Sequence, residues 1–574
     1  MTGISGDSRK KMFTRWDVAA LLVVIAAAVA ARAWLLWSTP LMPGMNGGYY
    51  LVQARALLEH GALGIPDLPL TFLLQATFAK LVQGVTGRSL EASILLSVRL
   101  CDAVFPTLAA VPVFLLGRSW CAQTGRGVWP AAVAAAGVAL GMPALSMVGD
   151  FEKNSLGLVW LAGLVMALRA WMLCRTRGRA AAVLAFLGLC GLTHIGVFGA
   201  ALLLTASVWG TDLALLRGKE GFKSLRHIGA VVAAGAAVVA LVAGVVLWKF
   251  DPARVQRLTK ALSNPVVFLQ TGGHAGGSDF RAFSPPGGVP DHLRPPSGAQ
   301  PERLGRARMA PPGMRGLPQW LPSALFGLVA VSALVLPWRR RRDMPAADRA
   351  TVIGCAGALV LLTGPWVQGD VDMRLRLIAM IPAAFAAVFV MAHLPGRWSS
   401  TVCATALLAL IAATTAPLLL RGGHPVIRVE AFKELQTLTA CVPRPARTLV
   451  VARHGLEWWT SWTLHTHVAQ ARAVCASDWT KYDTVLFIQE KGQSSQGMGR
   501  RDQAGPEGDF RGGPPPPGEA GGPEGFGGPG GAPPMMGAEI PDGAEILHDG
   551  TYFRLVRVSE PPDSVTQPIG EPQP

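Results

Sequence analysis

Apolar stretches long enough to cross a lipid bilayer recur along the chain and end near residue 420. A helix of roughly 20 apolar residues spans a bilayer core of about 30 Å with its backbone hydrogen bonds satisfied. The pattern therefore predicts an all-α polytopic membrane protein. Eleven spans are predicted, at residues 16–37, 92–117, 131–148, 155–173, 180–192, 197–216, 228–248, 321–338, 350–366, 375–393 and 401–420.

The basic residues predict how these spans are oriented. Arginine and lysine are concentrated in every second loop, starting with the segment before the first span, and cytoplasmic loops carry such an excess. We therefore expect residues 1–15 to be cytoplasmic, residues 16–420 to form the transmembrane domain and residues 421–574 to lie on the extracytoplasmic side. A further apolar stretch, residues 68–85, contains Lys80 and is predicted to lie in the membrane interface.

After residue 420 the pattern changes to short apolar runs. Those at residues 448–451, 484–488 and 552–558 predict strands, and residues 455–470 predict a helix. We expect a small extracytoplasmic α/β domain.

Two tracts rich in glycine and proline, residues 272–316 and 492–537, cannot bury enough apolar surface to offset the entropy of ordering them. Flexible loops are expected there.

Composition adds two points. The net charge of +16 is typical of nucleic-acid binding, but most of the excess lies in the loops predicted to be cytoplasmic. Orientation explains it better, and no nucleic-acid partner is expected. Cys441 and Cys475 are the two cysteines after residue 420, and an oxidising compartment would favour a disulfide between them.

The first loop predicted to lie outside, residues 38–91, combines apolar and polar positions. Tyr50, Leu51 and Ala54 recur at helical spacing, which predicts an amphipathic helix. The helix is either an interfacial anchor or a support that holds polar residues, including Asn46, over a cavity between spans.

Asp150, Glu152 and Lys153 lie in a short loop between two predicted spans, where charge is energetically expensive. The two carboxylates are suited to share Mg²⁺ or Mn²⁺, which prefer oxygen ligands. Lys153 would then pair with one carboxylate or contact a phosphate. The alternative is a solvated turn that starts a helix.

Arg374 and Arg376 stand at the outer end of a predicted span, against the positive-inside rule. Arginine binds phosphate through two parallel hydrogen bonds, which lysine cannot do. The alternative is two ion pairs with Asp370 and Asp372 that cap the helix. His194, at another outer turn, is either a ligand or a structural residue.

In the outer domain, Glu457 is followed by Trp458, Trp459 and, three residues later, Trp462. These tryptophans could dock the domain on the membrane interface or stack on a sugar or a lipid head group.

The layout of these motifs resembles the GT-C superfamily of membrane glycosyltransferases, which includes oligosaccharyltransferases and protein mannosyltransferases. The resemblance rests on five motifs: a helix ending Leu57-Leu58-Glu59-His60-Gly61, Asp67-Leu68-Pro69-Leu70, Asp150-Phe151-Glu152, the arginines before Ile381-Pro382, and Glu457-Trp458-Trp459. In that family, the acidic pair binds a metal, the arginine binds the donor phosphate and the tryptophan motif lies in the outer domain. The resemblance covers most of the membrane part.

One position departs from the family. Those enzymes carry an acidic residue before the aromatic pair of the first outer loop, and this chain has Asn46-Gly47-Gly48. Asparagine cannot act as a general base near neutral pH. Either Asp67 or Asp150 supplies the carboxylate, or the chemistry differs, or the chain is inactive.

The resemblance implies transfer of a sugar from a polyprenyl-phosphate donor to an acceptor outside the bacterial inner membrane, in the cell envelope. Arg374 or Arg376 would hold the phosphate, and Asp150 and Glu152 would stabilise its departing charge. Asp67 or Asp150 would deprotonate the acceptor, while Asn46, Tyr50, Lys153, His194 and the motif Glu457, Trp458, Trp459 would bind substrate.

Two other classes of function fit the pattern. A transporter or lipid flippase would use many spans, but its site should lie near the bilayer midplane, where few ionisable residues are found. A non-catalytic envelope assembly protein is favoured by the missing acid in the first loop.

Overall fold

The computed structural model of the chain describes residues 14–216, 244, 321–341, 343–364, 366–367, 369–470, 474, 477–491 and 544–561. The described residues up to Val426 form one compact unit, and those from Ile427 onwards form a second. The predicted span 228–248 and the tracts 272–316 and 492–537 lie outside the described residues.

The regular elements in the described part of the first unit are helices. Its helices are α1 (Arg15–Trp37), α2 (Gly47–His60), α3 (Leu70–Thr86), α4 (Leu90–Val104), α5 (Ala110–Gln123), α6 (Trp129–Leu140), α7 (Met142–Leu145), α8 (Glu152–Leu173), α9 (Arg177–Thr193), α10 (Ile195–Leu216), α11 (Leu321–Arg339), α12 (Ala346–Thr363), α13 (Gly369–His393) and α14 (Arg397–Arg421). A 3₁₀ segment, Phe105–Ala109, joins α4 to α5.

Seven helical segments of the described chain are long and apolar enough to cross a membrane, which makes this a membrane protein. They are Arg15–Trp37, Leu90–Gln123, Glu152–Leu173, Ile195–Leu215, Ala346–Thr363, Met373–His393 and Trp398–Arg421. Trp129–Leu145 and Ala324–Arg339 are apolar but shorter. The count of eleven spans, the orientation in the membrane and the domain boundaries stay predictions.

Small residues let the helices of the first unit approach closely. A Cβ atom added to Gly354 of α12 would lie 2.4 Å from the Cα atom of Val208 on α10, so this contact requires glycine. The alanines of α6 are mostly buried in the same core. Membrane helices associate through such packing because lipid tails provide no hydrophobic driving force between them.

Arginine–aspartate pairs connect several helices of the first unit. Arg118 of α5 donates to Asp17 of α1 at 2.6 Å. The buried Asp348 of α12 accepts hydrogen bonds from Trp120 Nε1 at 2.9 Å and from Arg169 of α8. Part of the positive charge of the chain is therefore neutralised by aspartates within the helix bundle.

The second unit contains a mixed sheet of five strands in the order β2-β1-β3-β5-β4. The strands are β1 (Thr448–Ala452), β2 (His467–Gln470), β3 (Thr484–Glu490), β4 (Glu545–Asp549) and β5 (Phe553–Arg557). β1 pairs in parallel with β2 and β3, and β5 pairs antiparallel with β3 and β4. Its helices are α15 (Val429–Thr437), α16 (Leu456–Leu464) and α17 (Asp478–Lys481), with 3₁₀ turns at Leu438–Cys441 and Pro445–Arg447.

Two sequence-based assignments in this unit were incomplete. Residues 455–470 do not form one helix, because α16 ends at Leu464 and His465 adopts a left-handed conformation with φ 56°. The chain then turns into β2, whose four residues pair with β1. β4 was also missed, since a strand of five residues with mixed polarity gives little periodic signal. Cys475 lies outside the described residues, so the disulfide with Cys441 stays a prediction.

The turn between β4 and β5 is fastened by a carboxylate on α15. Glu434 accepts backbone hydrogen bonds from Thr551 at 3.0 Å, Tyr552 at 2.9 Å and Phe553 at 2.8 Å. Burial tends to raise the pKa of Glu434, but these backbone donors outweigh it, and the pKa lies below its ordinary value.

We expect Glu434→Gln to loosen this turn, by about 1–3 kcal/mol for hydrogen bonds to a charged group. Because the pKa is lowered in the folded state, the stabilisation is present above the unfolded pKa and is lost as pH falls through the folded pKa. Hydrogen exchange of residues 551–553 should therefore speed up in the variant at neutral pH. Glu430→Gln, an exposed position on α15, is the matched control, and equal protection in both variants would contradict the assignment.

Candidate active site

The first loop packs directly against the turn between α7 and α8. Gly44 has φ 82°, and a Cβ atom added there would lie 2.8 Å from the Cβ of Asp150. Gly149 has φ 73°, and its added Cβ would lie 2.4 Å from the carbonyl oxygen of Pro43. Glycine tolerates both the positive φ and the close approach. The two segments are therefore held in one fixed arrangement.

Asp150 is oriented by Asn46 across this contact. The backbone N–H and the side-chain Nδ2 of Asn46 both donate to Asp150 Oδ1, at 3.0 and 2.7 Å. Asp150 Oδ2 accepts no hydrogen bond from any described residue, and the side chain is partly exposed. Asn46, which stands where the family has an acidic residue in the first loop, thus orients the carboxylate of Asp150 in the second loop.

Asp67 accepts hydrogen bonds from three neighbouring residues. Its Oδ2 accepts from the ammonium of Lys153 and from the hydroxyl of Tyr49, and its Oδ1 accepts from the N–H of Leu68 at 2.7 Å. The Lys153 ammonium also lies 5.2 Å from the centre of the Tyr49 ring, within range of a cation–π interaction. This geometry suits Asp67 to holding Lys153 in place, and deprotonating a substrate would require it to give up these bonds.

Tyr50 lies beside the acidic residues of the turn. Burial raises the pKa of its phenol well above the ordinary value, and the negative charges of Glu152 and Asp150 raise it further. The Tyr50 hydroxyl is 3.4 Å from the carbonyl oxygen of Asp150. Tyr50 therefore stays neutral near neutral pH and can donate a hydrogen bond.

A buried ion pair between Arg32 and Asp102 holds the turn that carries Asp150, and the sequence analysis missed it. Asp102 of α4 accepts the N–H of Gly149 at 2.8 Å and pairs with the guanidinium of Arg32. Arg32 also donates from Nε to the Asp102 carbonyl at 2.6 Å and from Nη1 to the Ala144 carbonyl at 2.9 Å. Arg32 had been assigned only to the first span, although an ionisable residue inside a span is itself a functional signal.

Glu152 is turned into the helix bundle. Its side chain is buried, and Oε2 accepts a hydrogen bond from Nε2 of Gln75 on α3. The main chain of Gln75 is held in turn by Ser97 of α4, whose hydroxyl donates to the main-chain carbonyl oxygen of Gln75 at 2.7 Å. Gln75 carried no signal in the sequence, because a single glutamine in an apolar helix does not reveal its partner.

His194 and the two arginines lie at helix starts. His194 Nδ1 accepts from the N–H of Gly196 at 3.2 Å and so caps the first turn of α10. Arg374 is exposed and Arg376 is half-buried in the first turns of α13. A Cβ atom added to Gly196 would lie 3.9 Å from Ile378 of α13, one helical turn beyond Arg374.

The starts of α8, α10 and α13 lie at the same end of the bundle. A Cβ atom added to Gly157 of α8 would lie 2.9 Å from Val197 of α10. Met380 of α13 lines one cavity with Ser155, and Arg376 precedes Met380 by one turn, about 6 Å along the axis. That the acidic side chains and the arginines converge on a single cavity stays a prediction.

In the second unit, the predicted substrate-binding motif Glu457-Trp458-Trp459 is largely buried. Trp459 is buried, and its ring meets that of Phe432 edge to face at 5.5 Å. Glu457 is also buried, and its Oε1 accepts from Gln470 Nε2 at 2.9 Å. Trp458 is half-buried. A role of these residues in binding substrate stays a prediction.

Within the described residues, no three or more histidine, cysteine, aspartate or glutamate side chains are grouped to hold a metal ion. Asp150 with its accessible Oδ2 and Glu152 with its buried side chain therefore do not make a complete protein ligand set. The metal site predicted from these two residues stays a prediction.

The fold of the chain resembles that of a solved oligosaccharyltransferase, which agrees with the resemblance noted in the sequence. The solved structures that resemble this chain include the oligosaccharyltransferase of Archaeoglobus fulgidus. Its apo form matches with a TM-score of 0.52 and 13% identity over 84% of this chain and 70% of that chain.

Two further crystal structures of the same enzyme match less well. The form tethered to an acceptor peptide with the NVT sequon has a TM-score of 0.47 at 13% identity, over 83% of this chain and 69% of that chain. The complex with Zn and sulfate has a TM-score of 0.48 at 15% identity, over 78% of this chain and 62% of that chain. No protein-family model and no curated protein matches the sequence.

Proposed function

We propose that the protein is a glycosyltransferase that moves a sugar from a polyprenyl-phosphate donor to an acceptor at the extracytoplasmic face of the bacterial inner membrane. The observation that carries the proposal is the contact between the first loop and the Gly149–Lys153 turn. It orients Asp150, the neighbouring Lys153 is held by Asp67, and Arg374 and Arg376 lie in the first turns of α13. The GT-C fold supports the same class of reaction.

The arginines are proposed to bind the donor phosphate. Arg374 is exposed, so its guanidinium is accessible to a lipid head group that enters between helices. Planar guanidinium groups contact phosphate oxygens in pairs. Lys153 is held in place by its ion pair with Asp67, so its ammonium is positioned to donate a hydrogen bond to a phosphate oxygen. Fixed charges that face a developing negative charge are usually the largest contribution to catalysis.

Asp150 is proposed as the base. In the reaction, the bond between the sugar C1 and the phosphate oxygen breaks, and a bond forms between C1 and the acceptor oxygen. The acceptor proton passes to Asp150 Oδ2, the oxygen that accepts no hydrogen bond from a described residue. The phosphate leaves with its electron pair, and Arg374 or Arg376 balances the charge. Asp67, the other candidate base, holds Lys153 instead.

Mg²⁺ or Mn²⁺, if bound by Asp150 and Glu152, would supply additional positive charge at the departing phosphate. The described residues do not complete such a site, so the steps above rest on the side chains alone. Asn46 keeps the Asp150 carboxylate oriented, Tyr50 and His194 contribute to binding, and Glu457, Trp458 and Trp459 in the second unit contribute to the choice of acceptor.

The donor site is tested by Arg374→Lys. The purified chain in lipid nanodiscs should bind undecaprenyl phosphate, the lipid phosphate without a sugar, and the variant should bind it about tenfold more weakly, a loss of about 1.4 kcal/mol. Titration followed by tryptophan fluorescence measures the affinity. Arg341→Lys, at an exposed arginine before α12, is the matched control. Unchanged affinity in Arg374→Lys, or absent binding in the parent chain, would contradict the proposed donor site.

A further inference from the structure

A small cavity lies between α3, α4 and α8, behind the turn that carries Asp150. Among the residues that line it are Thr71, Gln75, Asp102 and Glu152. The side chains of Thr71, Gln75 and Glu152 are only 4%, 1% and 3% exposed. Three polar residues are therefore buried around a small cavity whose remaining lining is largely apolar.

Three oxygen atoms around this cavity have no hydrogen-bond partner in the part of the chain that the structure describes. They are Thr71 Oγ1, Gln75 Oε1 and Glu152 Oε1. The side-chain amide nitrogen of Gln75 donates to Glu152 Oε2. Gln75 Oε1 and Glu152 Oε1, the other oxygens of the two side chains, receive no hydrogen bond from a described residue. Buried polar atoms are normally satisfied, and each one left without a partner costs about 1–3 kcal/mol.

The charges around the cavity do not balance either. Asp102 is paired with Arg32, so that pair is neutral. Glu152 has no ion-pair partner among the described residues, and the neighbouring Lys153 is paired with Asp67. A buried carboxylate without a counter-charge is costly, and more so within a membrane span. Three oxygens around the cavity thus lack partners, and an ionised Glu152 lacks a counter-charge that either a bound cation or a proton would supply.

We propose that this cavity binds a monovalent cation of the size of sodium, with Thr71, Gln75 and Glu152 as ligands. One carboxylate, one amide carbonyl and one hydroxyl provide oxygen atoms only, and a single positive charge neutralises Glu152. Calcium takes six to eight oxygens and magnesium keeps near-octahedral geometry with several waters. A small cavity in which one of the two carboxylates, Asp102, is already paired with Arg32 does not provide such a ligand set. The ion would fasten α3 to the start of α8 and thereby steady the Asp150 turn.

The test measures thermal unfolding of the full chain in detergent, without donor or acceptor. Its result therefore does not depend on whether the proposed glycosyltransferase activity is correct. Sodium chloride replaces choline chloride at constant ionic strength. The unfolding temperature should rise by about 3 °C and saturate, because a ligand that binds only the folded state stabilises it.

Variants locate the site. Thr71→Val should shift the half-saturating sodium concentration upward by at least about fivefold, and Glu152→Gln should abolish the response because the charge that requires a cation is gone. Thr205→Val is the matched control, since the buried Thr205 hydroxyl donates to the Ala201 carbonyl of its own helix. It should keep the full response to sodium.

Three outcomes would overturn the proposal. If wild-type protein unfolds at the same temperature in sodium and in choline at every pH tested, sodium has no site here and a proton neutralises Glu152 instead. A stabilisation by Mg²⁺ or Mn²⁺ that sodium does not give would assign a divalent site instead. A sodium response that persists in Glu152→Gln would place the ion elsewhere in the protein.

Discussion

Asp150→Asn is expected to abolish sugar transfer, with a loss of about 10²–10⁴-fold, the usual contribution of a general base. Asparagine has nearly the same size, and its carbonyl oxygen can still accept the two hydrogen bonds that Asn46 donates at 3.0 and 2.7 Å. The turn should therefore keep its shape while the proton acceptor is lost. Transfer of radiolabelled sugar from polyprenyl-phosphate donors in bacterial membranes measures the effect.

Two measurements make this result specific. Binding of undecaprenyl phosphate by Asp150→Asn should match the parent chain, and Asp343→Asn, at an exposed acid before α12, should leave transfer unchanged. Full activity in Asp150→Asn would show that another group removes the acceptor proton. A parent chain that binds the lipid phosphate but transfers no sugar would favour the non-catalytic envelope protein, the alternative suggested by Asn46 in place of an acid.

Arg32→Met is expected to destabilise the folded protein by about 3–5 kcal/mol, since Asp102 would be left as an uncompensated buried charge. Arg32 and Asp102 are both almost fully buried, and the pair also fixes the N–H of Gly149. The amount of folded protein in membranes and its unfolding temperature in detergent should both fall.

The double variant Arg32→Met with Asp102→Leu separates charge from packing. Removing both partners of a buried pair is often neutral or even stabilising, so most of the lost stability should return. The N–H of Gly149 would still lack its acceptor, and sugar transfer should stay low because the Asp150 turn is no longer held. Arg341→Met, at an exposed arginine, is the control. A single variant as stable as the parent chain would contradict this account of the pair.

The prediction from sequence succeeded where a signal is local. The predicted spans within the described chain fall on helices, and the runs at residues 448–451, 484–488 and 552–558 correspond to β1, β3 and β5. The four-residue β2 was missed, because it is stabilised by pairing with β1 and not by its own pattern. Short strands depend on a neighbour that a periodicity analysis does not see.

The candidate site shows the same division. Asp150, Glu152 and Lys153 stood out because charges at the end of an apolar span are unusual and can be read from the sequence. Their partners could not be read in this way. Asn46 lies 104 positions from Asp150, and Gln75 lies 77 positions from Glu152. Which helix faces meet depends on how the bundle packs.

The sequence by itself determined that this is a helical membrane protein with charged residues at the ends of its spans. Those features follow from the free energy of burying apolar helices in lipid, which each segment carries in its own composition. The tertiary structure alone decided that Asp67 holds Lys153, that Asn46 orients Asp150 and that Asp102 supports Gly149. Hydrogen bonds and ion pairs require atoms within a few ångströms of each other, and only the packing of distant helices brings those atoms together.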